Sequence, residues 1–128
     1  MARTAFDASI TELYNLLASD AIGTPRVTGV TKVYDYEPNN KNAVKPVMVT
    51  ITPDSMTPTH WRVALRVYQT LDIDAATAQS NIVDMVVGID NLITSGFGPS
   101  EWTFEINTDQ PINAIVATNI LEIIRADF

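Results

Sequence analysis

The chain has 128 residues, the length of one domain, with 46% hydrophobic and 18% charged side chains, a composition that excludes a disordered protein. It contains no cysteine, which excludes zinc ribbons, thiol enzymes and disulfide scaffolds. The net charge of −7 disfavours wrapping of nucleic acid, which needs a basic face.

Residues 7–20 are predicted to form the first helix. Phe6, Ile10, Leu13, Tyr14 and Leu17 recur at helical spacing. Ser9 and Glu12 have capping-box spacing, with Asp7 as a rival cap, and Gly23 and Pro25 stop the helix. Residues 26–36 alternate as a strand, and residues 43–52 as a second, in which Pro46 suggests an edge strand or an arm beyond the sheet. Between them, Glu37-Pro38-Asn39-Asn40-Lys41-Asn42 reads as the tip of a long hairpin arm.

Residues 53–58 are predicted to be a loop and residues 59–70 a third strand. In that strand Trp61, Val63, Leu65 and Val67 face the core, and His60, Arg62, Ala64, Arg66 and Tyr68 face away. The main helix is expected over 74–94, with Asp74 as N-cap and Gly96 as the left-handed C-terminal residue. Its apolar face comprises Ala78, Ile82, Met85, Val86, Ile89, Leu92 and Ile93. Asn81, Asp84 and Asp90 fall on its wet side. Residues 96–100 read as a loop and residues 101–107 as another strand. Residues 112–125 are almost continuously apolar and β-branched. This is the pattern of a central strand covered on both faces, with a helix as the rival reading.

The expected architecture is α/β in the α+β sense, one domain over 1–128. It has a mostly antiparallel or mixed sheet of about five strands, two helices and the hairpin arm. Two helices are too few to cover such a sheet, so a partly bare β-face is expected, and with it association.

The sequence offers little chemistry. His60 is the single histidine, and no Gly-x-Ser-x-Gly elbow accompanies it, so a structural or exposed role is expected. Asp72 and Asp74 lack the further ligands of a calcium loop, and a helix cap explains Asp74. Gly96-Phe97-Gly98 follows a helix and is not followed by lysine, unlike a phosphate loop. No catalytic, cofactor or metal site is expected. A carboxylate-based enzyme would need two acids with divergent pKa values in one pocket, and the acids fall instead at caps and on alternate strand faces. A small ligand-binding module would need a closed apolar pocket and a monomeric state.

Charge is distributed unevenly. Residues 1–70 carry 7 basic and 6 acidic side chains, whereas residues 71–128 carry 1 basic and 9 acidic. This split suggests a polar subunit whose basic part meets a neighbour's acidic part, the heterologous contact from which rings are built. Arg62 and Arg66, four apart on one strand face, are candidates for pairing with carboxylates of an adjacent subunit. They could instead line a pore that passes DNA, or serve their own subunit and the solvent. Tyr36, Asn39, Asn40, Lys41 and Lys45 of the arm are the other candidate interface residues. No apolar run approaches a membrane span, and the Met-Ala-Arg-Thr-Ala-Phe-Asp start lacks an apolar h-region, so synthesis in the cytoplasm without a signal peptide is expected.

The capped first helix, the long hairpin through Tyr34–Val49, the strand THWRVALRVYQ, the helix after Asp74 and the β-rich tail together resemble a tail terminator protein of long-tailed, siphovirus-type bacteriophages. The resemblance covers nearly the whole chain but rests on layout, not on a diagnostic motif. It implies a non-enzymatic virion protein of the tail or neck, made in the host cytoplasm. Such proteins form a hexameric ring that caps the tail tube and docks the head connector, and the resemblance carries no catalytic residues. The implied partners are further copies of the chain, the major tail tube protein and the head–tail connector. DNA would pass through the lumen without sequence-specific binding, and no membrane is involved. A head-completion, connector or other tail protein is the nearest alternative.

Overall fold

A computed structural model describes residues 2–20, 24–36, 47–71, 74–98, 100–107 and 114–124. The elements run α1 (Ala2–Leu17), β1 (Lys32–Tyr34), β2 (Val47–Met56), β3 (His60–Thr70), α2 (Ala75–Phe97), β4 (Trp102–Asn107) and β5 (Ala114–Ile124). The strands form one five-stranded mixed sheet in the order β1-β2-β3-β5-β4, an α+β fold. Within the run 112–125 the described residues are strand, which decides against a helix there. β4 and β3 both pair antiparallel to β5, so they are parallel to each other, with α2 as the crossover between them.

Both helices pack on one face of the sheet. Leu13 and Leu17 of α1 and Ile82, Ile89 and Ile93 of α2 are buried against Val49, Ile51, Val63, Leu65, Val67 and Ala117. Each large apolar side chain so buried contributes about 1.5–3 kcal/mol. The Phe6 ring adds a tilted contact to Trp61, with centroids 4.8 Å apart. The register Val33↔Val49, Val49↔Val67 and Val67↔Ala117 runs one apolar row across four strands. The alternation expected for β3 is therefore observed.

Several expectations are corrected. Helix α1 starts at Ala2, so Asp7, Ser9 and Glu12 lie inside it and form no capping box. Residues 26–31 are not strand. Val30 donates to the Val27 carbonyl, and Gly29 has φ 94°, in a turn where a Cβ would collide with Met85. Only Lys32–Tyr34 pair, and they pair parallel to β2. Residues 26–36 and 43–52 therefore form no hairpin. The start of the pairing is clamped by Thr31, whose N–H donates to the Val47 carbonyl at 2.7 Å. Strand β2 extends through Pro53 to Met56, where residues 53–58 were expected to be a loop. An irregularity between Pro53 and Ser55 absorbs Asp54. Pro53 is tolerated because β1 pairs only with Met48–Thr50, which leaves the outer side of Pro53 without a ladder partner. Pro46 lies outside the described residues.

Asp74 caps α2 as expected, its carboxylate accepting from the Thr77 N–H at 3.0 Å and the Thr77 hydroxyl at 3.1 Å. The helix runs past Gly96, however, and its cap is Gly98, at φ 77° and ψ −179°, a positive-φ conformation other than the left-handed helical one, with its N–H donating to the Thr94 carbonyl.

Candidate functional site

The face of the sheet opposite the helices carries Lys32 and Tyr34 on β1, and Met48, Thr50 and Thr52 on β2. It continues with Arg62, Ala64, Arg66 and Tyr68 on β3, Val116, Ile120 and Glu122 on β5, and Glu105 on β4, as the pairing register dictates. This face has two parts. Met48, Thr50, Tyr68, Ala114 and Val116 are buried, although neither helix lies there. Toward the β2–β3 turn, Arg62, Ile120, Glu122 and Ile124 are exposed. Among the described residues this face is thus partly bare, over that second part.

Charge on this face is ordered across the strands. Lys32, Arg62 and Arg66 sit on β1 and β3; Glu122 and Glu105 sit on β5 and β4. Arg62 stands directly opposite Glu122 in the register. Arg66 is engaged within its own sheet, its Nη1 donating to Thr52 Oγ1 at 2.9 Å. Of the two arginines expected to reach a neighbour, Arg62 is exposed and Arg66 half-buried. Tyr36 is also exposed and stacks edge-on to Tyr34 at 5.3 Å. Asn39, Asn40, Lys41 and Lys45 lie outside the described residues.

A feature absent from the sequence reading lies beside α2. Val83, Phe104 and Ile106 are exposed and, with Ile82 and Ile115, line an open groove of about 570 Å³ between α2 and the edge strand β4. Phe104 and Ile106 alternate as a buried strand would. Their exposure arises because α2 packs over β3 and β5 and leaves the outermost strand uncovered. The signal available in the sequence was Val83 and Val87, apolar residues off the core stripe of α2.

The catalytic candidates remain isolated. His60 Nδ1 lies 2.7 Å from Thr59 Oγ1, and the His60 N–H donates to Thr57 Oγ1 at 2.9 Å, in the turn between β2 and β3. Gly96 and Phe97 belong to α2 and open no phosphate loop. Asp72 lies outside the described residues. Among the described residues, no three His, Asp or Glu side chains gather to hold a metal ion, and no helix is long and apolar enough to cross a membrane. Burial raises the Tyr14 hydroxyl above its ordinary value, and the charges of Asp35 and Asp20 add to the effect. Comparison with family models, with curated proteins and with solved structures finds no match to this chain.

Proposed function

We propose that this protein is a structural subunit of a bacteriophage tail. In this reading it is a tail terminator whose copies close into a ring, of six subunits, that caps the tail tube and docks the head connector. The observation that supports this reading best is the polarity of the sheet. Basic side chains stand on β1 and β3 and acidic ones on β5 and β4, so one side of a copy is complementary to the other side of the next. That arrangement suits a heterologous contact repeated around an axis. Of the features that carry the resemblance to tail terminators, the strand at THWRVALRVYQ, the helix after Asp74 and the strand near the C-terminus are present, whereas the hairpin through Tyr34–Val49 and the capping box of the first helix are not. The proposed work is geometric, with no catalysis. Its partners are other copies of the chain, the tail tube protein and the connector, with DNA passing through the lumen, in the tail or neck of the virion.

The test is the native mass of the purified protein, followed by addition of tail tubes polymerised without it. A closed ring that binds one end of the tube and halts its growth supports the reading. A ring that ignores tubes and binds the connector alone favours a head–tail connector component. A monomer at high concentration, unchanged by tubes, refutes a ring.

A further inference from the structure

β4 is an outermost strand of the sheet. It pairs with β5 on one side, and among the described residues no strand pairs with its other side. Edge strands are ordinarily protected by shortness, a lysine, a proline or a bulge. The opposite edge strand, β1, is protected by shortness, with three residues. β4 has six residues, Trp-Thr-Phe-Glu-Ile-Asn, in an unbroken register with β5, and carries none of these devices.

The two faces of β4 differ in chemistry. Phe104 and Ile106, 49% and 69% exposed, stand on the helix side, where they pair with Ala117 and Ile115 of the core. With Val83 of α2 they line the open groove, together with the buried Ile82 and Ile115. Thr103 and Glu105 stand on the opposite face, and both are exposed. Neither β4 nor β5 contains a Lys, Arg or His that could pair with Glu105, and α2 contains none either.

We propose that β4 receives an extended segment of another protein as a sixth strand, and that apolar and basic residues alternate in this segment. A strand laid beside β4, at about 4.8 Å, sends successive side chains to opposite faces. Its residues opposite Phe104 and Ile106 enter the groove toward Val83, which accepts apolar side chains. The residue between them, opposite Glu105, emerges on the other face, where a lysine or arginine meets the carboxylate. The outward N–H and C=O groups of β4 supply main-chain hydrogen bonds. One segment thus answers both faces through its pleat, although groove and carboxylate lie on opposite sides of the sheet. The chain's own edges do not match this description. A second β4 carries the same acidic residue, and like charges across a strand pair are destabilising. β1 is three residues long, and its Lys32 is offset by Asp35. The proposal does not depend on the ring.

The experiment uses the full chain and end-capped, fluorescein-labelled peptides. Affinity is read by fluorescence anisotropy and the bound surface by amide hydrogen exchange. The probe is Ser-Val-Lys-Val-Lys-Val-Ser. One control replaces both lysines by glutamate. A second, Ser-Lys-Lys-Val-Val-Val-Ser, keeps the composition and loses the alternation. The probe is expected to bind, to protect amides of β4, and to exceed the glutamate peptide by about fivefold, the ratio an exposed ion pair supplies. Glu105→Lys should invert that order. Ile106→Asp should abolish binding of all three peptides, with circular dichroism reporting the fold. Glu105→Lys changes an exposed side chain outside the groove, so it keeps the test decisive if Ile106→Asp does not fold.

No binding at about 1 mM probe overturns the proposal. Equal binding of the probe and either control also overturns it, as does an order of lysine and glutamate peptides that Glu105→Lys leaves unchanged. Protection confined to α2 shows that the groove holds something other than an added strand. Concentration-dependent protection of β4 in the chain alone, lost in Ile106→Asp, makes a second copy the occupant and overturns the proposal. A closed ring whose β4 edge still binds the probe supports both readings, and a monomer that binds it supports this one alone.

Discussion

Trp102 donates its indole N–H to the Asp90 carboxylate at 3.0 Å, and this bond ties the edge strand β4 to the middle of α2. Both side chains are half-buried. The bond holds one wall of the β4 groove against the other. Asp90→Ala should leave the indole donor unpaired and destabilise the fold by about 1–3 kcal/mol. Asp90→Asn keeps an acceptor and should cost less. Urea denaturation followed by tryptophan fluorescence gives both values, and equal losses for the two variants would show that the bond carries no stability.

Asn119 sits on the helix-side face of β5, between Leu65 and Trp102 in the register, and is fully buried. Its Nδ2 donates to Ser100 Oγ at 2.7 Å, and its Oδ1 has no partner. Ser100→Ala removes the acceptor and should cost about 1–3 kcal/mol, because a buried donor is then left unpaired. Adding Asn119→Leu removes that donor as well and should recover most of the loss. Denaturation midpoints of the single and double variants test this. A double variant weaker than Ser100→Ala would mean that the site does not accept an apolar side chain.

The sheet's strands and α2 were legible because period 2 and period 3.6 are strong signals wherever a face is buried. Trp61, Val63, Leu65 and Val67 alternate because β3 is central in the sheet, and Ala78, Ile82, Val86, Ile89 and Ile93 recur because α2 lies over it. Periodicity does not report which strand lies at an edge. Phe104 and Ile106 alternate just as the core residues of β3 do, yet they are exposed. Strand direction is equally hidden. Residues 26–36 and 43–52 are neighbours in sequence, which favours a hairpin, yet Lys32–Tyr34 pair parallel to Met48–Thr50. The charge polarity was visible as a division of the sequence, but its order across the sheet depends on β5 inserting between β3 and β4.

Tyr14 links stability to alkaline pH. Its hydroxyl titrates above the ordinary tyrosine value, chiefly through burial, with Asp35, Asp20 and Tyr36 adding to the shift. A folded-state value above the unfolded one means that the neutral form is favoured by folding. The contribution is complete below the unfolded value of about 10 and is lost as pH rises through the higher folded value. The parent should lose thermal stability more steeply above about pH 10 than Tyr14→Phe. Melting temperatures across that range decide it, and parallel curves would exclude Tyr14 as the cause.

Arg62 and Arg66 should separate in their effects. Arg66 donates to Thr52 within the sheet, so Arg66→Gln should cost about 0.5–1.5 kcal/mol of stability. Arg62 is exposed opposite Glu122, and Arg62→Gln should change stability by less than about 0.5 kcal/mol. If Arg62 also meets a neighbour's carboxylates, its loss lowers the ring-to-monomer ratio, most at low salt. An unchanged ratio across salt concentrations would assign Arg62 to its own subunit and the solvent.

The parallel pairing of β1 with β2 makes a prediction opposite to the one a hairpin would make. Two antiparallel strands tolerate a two-residue Asn-Gly turn, and shortening a loop changes closure entropy by only about 0.6 kcal/mol per halving. Parallel strands cannot be joined that way, because the chain must return to the same end of the sheet before it re-enters, over roughly a dozen residues. Twelve residues, 35–46, separate β1 from β2 in the sequence. Replacing residues 37–46 by Asn-Gly should therefore break the pairing of Lys32–Tyr34 with Met48–Thr50 and release Val33 from the core. The bond from the Thr31 N–H to the Val47 carbonyl should go with it. Amide hydrogen exchange reads this directly: protection at Thr31 should disappear, while protection in β3 and β5 persists. A shortened chain that keeps full protection at Thr31 would show that β1 and β2 can pair without the crossover.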